Sequence, residues 1–294
     1  VLVAAGVWSL TAQLFVFPAE TQSSDWAPAA EYVLERIEQG DRIRTHPPWN
    51  IDALPYVESV GDQVDRRHNP VLEDIYRADR IWVLSETARV EEAIRRLPYE
   101  PVDLHIERFG DAAVVRAPLP DSANFSWEAL EHLSEAQVER VEPSEDGAPS
   151  IRECESWSEE NRRWDCGSRD PWLYVGEVER FLGGDYRRAI WAHPVPDDEY
   201  LRVTFPEVPM GELLRVRAGF TFLASRKDRG APVTMEVRLD GEVLEEKTYP
   251  TLETTWEPID FETPERAGKS AELSIVVRTP DITDRYFCFN AWVR

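Results

Sequence analysis

The sequence predicts two folds in series, a small three-layer α/β domain over residues 20–120 and an antiparallel β-sandwich over residues 171–294. Three observations predict this. Up to Ala117, short apolar runs alternate with stretches of helical periodicity, the pattern of strands covered by helices. From Pro171 onward, nine short candidate strands recur with turn residues between them, which is the patterning of a sandwich or barrel. Between the two, Pro118, Pro120, Pro143 and Pro149 interrupt a polar stretch that reads as a connector over residues 121–170.

The elements follow in order. Asp25 is placed to cap a helix beginning near Pro28, because its carboxylate can satisfy free amides of the first turn and proline is tolerated there. That helix carries Ala29, Ala30, Tyr32, Val33, Leu34 and Ile37 and ends at Gly40-Asp41. A short strand over Arg42 to Thr45 runs into His46-Pro47-Pro48-Trp49, where two prolines forbid further pairing. A helix over Asp52 to Val60 and a buried strand at Ile81-Trp82-Val83-Leu84 come next. Val90, Ala93, Ile94 and Leu97 then form one helical face, and Gly110-Asp111 joins two alternating segments into a hairpin. In the connector, Trp127, Leu130, Leu133 and Val138 predict one amphipathic helix over Ser126 to Val141. In the sandwich the clearest hairpin turns at Asp240-Gly241, with Val233, Met235, Val237 and Leu239 on one face.

Charge excludes several functions. The 294 residues carry 33 Lys+Arg against 56 Asp+Glu, a net charge of −23. A surface this acidic repels phosphate backbones and anionic headgroups, so nucleic acid is not expected as a partner. The first 19 residues contain no charge and include Trp8, which reads as the end of a transmembrane helix or its interfacial exit. A buried strand or helix at the edge of the first domain is the alternative.

Three cysteines are present. Cys154 and Cys166 lie close enough in a polar segment to close a local disulfide, which would place the chain in an oxidising compartment. Cys288, inside Tyr286-Phe287-Cys288-Phe289, reads as a small buried hydrophobe. Neither cysteines nor histidines have metal-ligand spacing, and no nucleotide, phosphate-binding or nucleophile-elbow motif occurs, so no metal, cofactor or catalytic residue is assigned. With 56 acidic residues, a carboxylate pair fit for glycoside hydrolysis can meet in space without leaving a sequence signature.

Two resemblances bear on function. The string Asp25-Trp26 to Val33, Gly40-Asp41, His46-Pro47-Pro48-Trp49, Tyr56 and Asp79-Arg80-Ile81-Trp82-Val83-Leu84 resembles the soluble C-terminal region of bacterial GT-C class membrane glycosyltransferases, relatives of the dolichyl-phosphate-mannose protein mannosyltransferases. It covers residues 1 to about 120. It implies a periplasmic or extracellular location at the cytoplasmic membrane, anchoring through preceding helices, and a polyprenol-phosphate-dependent parent. That family's catalytic acidic residue lies in a loop between membrane helices that this chain does not contain, so no position here inherits it. The second domain, through Gly219-Phe220-Thr221-Phe222, the Val233–Tyr249 hairpin, Trp256 and Ala271–Val277, is similar to galactose-binding-like jelly rolls found as carbohydrate-binding modules.

Sugar recognition needs exposed rings beside hydrogen-bonding side chains. Tyr174, Trp191 and Trp256, near strand ends or turns, are the candidate carbohydrate-binding residues. The expected function is an accessory one: recognition of a glycan or glycoprotein acceptor with catalysis outside this chain. The alternatives are a carbohydrate- or protein-binding surface module with no enzymatic role, and a hydrolase using carboxylates of the sandwich.

Overall fold

The structure, a computed structural model, describes residues 23–50, 52–144, 148–167, 171–195 and 199–294. The uncharged segment expected to end a membrane helix, residues 1–19, lies outside the described residues. Among the described residues no helix is long and apolar enough to cross a membrane. The chain divides into two compact units, Val1–Asp121 and Ser122–Arg294.

The first unit is built on a four-stranded mixed sheet. Strands β1 (Arg42–His46), β2 (Arg80–Glu86), β3 (His105–Phe109) and β4 (Ala112–Pro118) lie in the order β1-β2-β4-β3, with β1 parallel to β2 and the other pairs antiparallel. Alternation along β2 sends Trp82 and Leu84 to one face and Ile81 and Val83 to the other. Helix α1 (Ser23–Leu34) covers the first face with Trp26, Ala29, Ala30 and Val33. Helix α2 (Val90–Arg95) covers the second with Val90 and Ala93. The expected helix over Asp52 to Val60 is a 3₁₀ segment, Leu54–Gln63, begun at Pro55 and kinked at Val60. Asp25 sits inside α1, and its Oδ2 accepts a hydrogen bond from the Asp111 amide in the β3–β4 turn at 3.0 Å.

The second unit is a two-sheet antiparallel sandwich. One sheet runs β15-β12-β17-β10-β9-β8, made of Pro258–Glu262, Leu213–Phe220, Phe287–Val293, Asp185–Ala192, Tyr174–Leu182 and Arg163–Asp165, with β5 (Trp127–Glu128) joined to the end of β17. The other runs β14-β13-β16-β11-β6-β7, made of Glu242–Tyr249, Val233–Leu239, Ser270–Arg278, Tyr200–Pro209, Gln137–Glu142 and Ser150–Glu153. Val216, Ala218 and Phe220 of β12, Phe287 and Phe289 of β17, Val203 and Phe205 of β11 and Leu273, Ile275 and Val277 of β16 meet between the sheets in one core. At the β13–β14 turn, Asp240 and Gly241 take φ of 50° and 81°, the two positive values a type I′ turn requires.

The stretch read as a connector is part of this sandwich. Residues expected to form a helix over 126–141 form β5, a 3₁₀ segment (Ala129–Glu135) and β6 instead. Leu130 and Leu133 are three apart, as a 3₁₀ turn also requires, while Trp127 and Val138 reach the same core from strands. Cys154 and Cys166 are joined in a disulfide between the end of β7 and the end of β8, one from each sheet.

Candidate functional site

The outer face of the sheet that contains β9 and β10, turned away from the sandwich core, carries two of the sequence-predicted residues, Tyr174 and Trp191. On β10, Ile190 and Ala192 enter the core, so Trp191 projects outward. Gly176 of β9 lies directly across from it. A Cβ at position 176 would stand 2.5 Å from the Arg163 Cβ, so β8 and β9 approach closely here because the residue is glycine.

Tyr174 and Trp191 are brought together. Their rings stack with centroids 5.5 Å apart and planes 13° from parallel. Tyr286, just before β17, stacks with Trp191 at 5.4 Å and 27°. His193 completes the group, 6.1 Å from the rings of Trp191 and Tyr286 alike. Cations border the stack: the Arg163 guanidinium is 4.9 Å from the Tyr174 centroid, Arg180 is 5.7 Å from Trp191, and the Lys227 ammonium is 5.5 Å from Tyr286. Lys227 Nζ also donates to Asp284 Oδ1 at 2.6 Å, and the Tyr286 hydroxyl donates to the same oxygen at 3.3 Å. The Lys227 hydrogen bond holds the Asp284 carboxyl below the usual carboxylate range, so it is ionised at neutral pH.

Within this arrangement Trp191 is buried, while Tyr174 and Tyr286 are half-buried. Burial raises the Tyr174 hydroxyl above its ordinary pKa, with Arg180 acting against it. Trp172 is 45% accessible, and its backbone carbonyl accepts a hydrogen bond from Trp191 Nε1 at 3.1 Å. The sequence also missed Tyr286, although it alternates with the core residue Phe287 and so belongs on the opposite face.

Trp256 does not belong to this group. Expected as an exposed ring, it is 6% accessible and lies in the loop before β15. Its Cβ packs where Gly183 leaves room, and its carbonyl accepts from the buried Arg217 Nη1. Neighbouring Thr255 lies against Gly219 of β12, so two glycines open a recess that draws the loop inward.

Cys288, across from Trp191 in the sheet, is fully buried, and burial pushes its thiol up to about 12, which leaves it without nucleophilic thiolate. Among the described residues no group of three or more His, Cys, Asp or Glu could hold a metal ion.

No family model matches the chain, and no curated protein matches it. Solved structures similar to it include carbohydrate-binding modules. One is CBM51 from Clostridium perfringens GH95 in complex with methyl-galactose, at 16% identity and a TM-score of 0.30, covering 40% of this chain and 79% of that one. The tandem CBM51 modules of Sp3GH98 from Streptococcus pneumoniae match at 12% identity and a TM-score of 0.32, covering 64% of this chain and 57% of theirs. A family 35 carbohydrate-binding module from Clostridium thermocellum matches at 10% identity and a TM-score of 0.26, covering 40% of this chain and 88% of that one. The glycosyltransferase parent expected from the first-domain motifs has no support from a family model or a curated protein.

Proposed function

We propose that the second unit is a glycan-binding module acting outside the cytoplasm, with no chemistry of its own. The observation that carries this reading is the Tyr174–Trp191–Tyr286 stack, tied through Trp191 to the backbone of the exposed Trp172, with Arg180, Lys227 and Asp284 alongside. An indole face accepts the apolar face of a pyranose, and charged side chains at its rim bond hydroxyls. The stack holds Trp191 between the ring of Tyr174 at the start of β9 and that of Tyr286 just before β17. Rigid rings lose little entropy when they bind, which favours a preformed sugar platform. The Cys154–Cys166 disulfide fits an oxidising compartment.

Titration of the whole chain against a panel of neutral and acidic glycans tests the reading. Binding by at least one glycan, lost in Trp172→Ala with the fold retained, supports it. A panel without any response removes it.

A protein-binding surface is the second reading. Phe222 and Leu223 are 41% and 65% exposed, and Phe222 lies against Phe181, itself in edge contact with Tyr186. An apolar patch of this kind is a common protein-contact feature. Loss of a partner in Leu223→Asp, with glycan binding unchanged, would assign it.

A further inference from the structure

The first unit contains a cavity of about 280 Å³ that the glycan reading of the second unit does not use. It exists because β1 is the edge of its sheet while α2 packs over β2 and β4, leaving the end of β1 bare on that side. Arg44 and His46 of β1 share this face with Val83, the partner of Arg44 on β2, and form the floor. Glu92, Arg96 and Trp49 also line the cavity, Trp49 being 67% exposed.

Two independent features mark it as a ligand site. The first is a buried polar atom without a partner. His46 is 6% exposed, and its Nε2 has no hydrogen-bond partner; the nearest acidic oxygen, Glu92 Oε2, is 3.6 Å away, past hydrogen-bonding distance. Native structures rarely leave such an atom unsatisfied unless a ligand or water completes it. Burial holds the imidazole below its ordinary pKa against the pull of Glu92, so it is neutral at pH 7. A hydroxyl can pair with Nε2 in either tautomer, since it both donates and accepts.

The second feature is the sign of the charge. In a chain of net charge −23, Arg44 and Arg96 line the cavity, with Glu92 as the one carboxylate residue among its lining. Arg44 is already engaged by Asp65 at 3.4 Å and by the Arg67 carbonyl at 2.9 Å, so its fork is held in place. Arg96 is exposed and enters no ion pair among the described residues.

We propose that this cavity binds a small acidic sugar, its ring against Trp49, its carboxylate or phosphate at Arg96, and a hydroxyl on His46 Nε2. An exposed indole and a guanidinium at the mouth of a monosaccharide-sized cavity meet both halves of such a molecule, the ring face and the anion.

The test is calorimetric titration of the full chain with glucuronate, glucose 1-phosphate and glucose. Glucuronate or glucose 1-phosphate is expected to bind at least roughly tenfold more tightly than glucose. Preference between the two acids then assigns the anion as carboxylate or phosphate ester. Arg96→Ala and Trp49→Ala, both at exposed positions, should each weaken binding roughly tenfold, whereas Trp172→Ala should leave it unchanged. His46→Gln should weaken it too, and the two exposed variants decide the matter should that one fail to fold. Absence of binding by either acid at about 10 mM overturns the proposal. So does glucose binding as well as the acids, or acid binding that survives Arg96→Ala and Trp49→Ala. Sensitivity to Trp172→Ala instead would place the acid in the second unit and overturn it as well.

Discussion

Asp41 Oδ2 accepts a hydrogen bond from Trp82 Nε1 at 2.8 Å, across 41 residues of chain. The other carboxylate oxygen, Oδ1, accepts from Arg80 Nε at 2.9 Å, and Oδ2 also accepts from the Glu38 amide at 3.0 Å. Asp41 is completely buried, so these donors take the place of water. Two of the motifs noted in the sequence, Gly40-Asp41 and Asp79-Arg80-Ile81-Trp82, are therefore halves of one buried knot that ties the start of β1 to β2.

Asp41→Ala should destabilise the first unit by about 3–5 kcal/mol, the scale of removing one partner from a buried charged network. Asp41→Asn keeps an acceptor for Trp82 Nε1 while losing the charge facing Arg80, and should lose less. Urea unfolding followed by tryptophan fluorescence measures both, and equal losses would show that a neutral acceptor contributes nothing to Trp82 and that the charge accounts for the whole effect.

Trp191 and Trp172 should separate stability from binding. Trp191→Ala removes a buried ring stacked with two others and should cost about 3–5 kcal/mol. Trp172→Ala removes an exposed ring and should change stability by less than about 0.5 kcal/mol while abolishing glycan binding. Thermal melts and titrations on the two variants check the pair of outcomes.

The disulfide links residues 12 apart in sequence. Chain-entropy arguments assign a loop of that length about 3 kcal/mol, so Cys154→Ser with Cys166→Ser should lower unfolding free energy by that amount. Alkylation of the unreduced, unfolded chain followed by mass spectrometry should label Cys288 alone. Label on Cys154 or Cys166 would show the bond absent.

Glu128 accepts a hydrogen bond from Asn290 Nδ2 at 2.8 Å in a buried site. Burial raises its pKa, with Asn290 and Arg188 opposing. Its folded value thus lies above its unfolded value, so the folded chain holds this proton more tightly. The resulting stability is complete at acid pH and is lost as pH rises through the ordinary carboxylate range to the raised value. Glu128→Gln keeps an acceptor for Asn290 and cannot ionise. It should be more stable than the parent by about 1 kcal/mol at pH 7 and no more stable at pH 3. Melting curves at the two pH values measure this; a gain of equal size at both would rule out ionisation as its source.

Strand patterning was readable wherever neighbours in sequence are neighbours in space. The alternation of Val233, Met235, Val237 and Leu239 and the Asp240-Gly241 turn specify the β13–β14 hairpin locally, because both the side-chain period and the positive φ values are properties of a few consecutive residues. The stretch from Ser126 to Val141 was misread for a related reason. Apolar residues three apart satisfy an α-helix and a 3₁₀ turn equally, and the choice was made by pairing of Trp127 and Glu128 with β17 and of Gln137 to Val141 with β11. The burial of Trp256 is not legible in the sequence, because it depends on the room left by Gly183 and by Gly219 beside Thr255, both far from it in the chain.

By itself, then, the sequence determined the nine strands from β9 to β17, the hairpin turn, the cysteine pair and the net acidity, all of which follow from composition or short-range spacing. Only the tertiary structure decided which rings meet. Strand β10 lies between β9 and β17, so Tyr174 and Tyr286, separated by more than a hundred residues, come to stand on either side of Trp191. The same holds for the cavity in the first unit, which appears where an edge strand is left uncovered by its helix. Sheet order is set by non-local backbone pairing, and no local pattern encodes which strand will lie beside which.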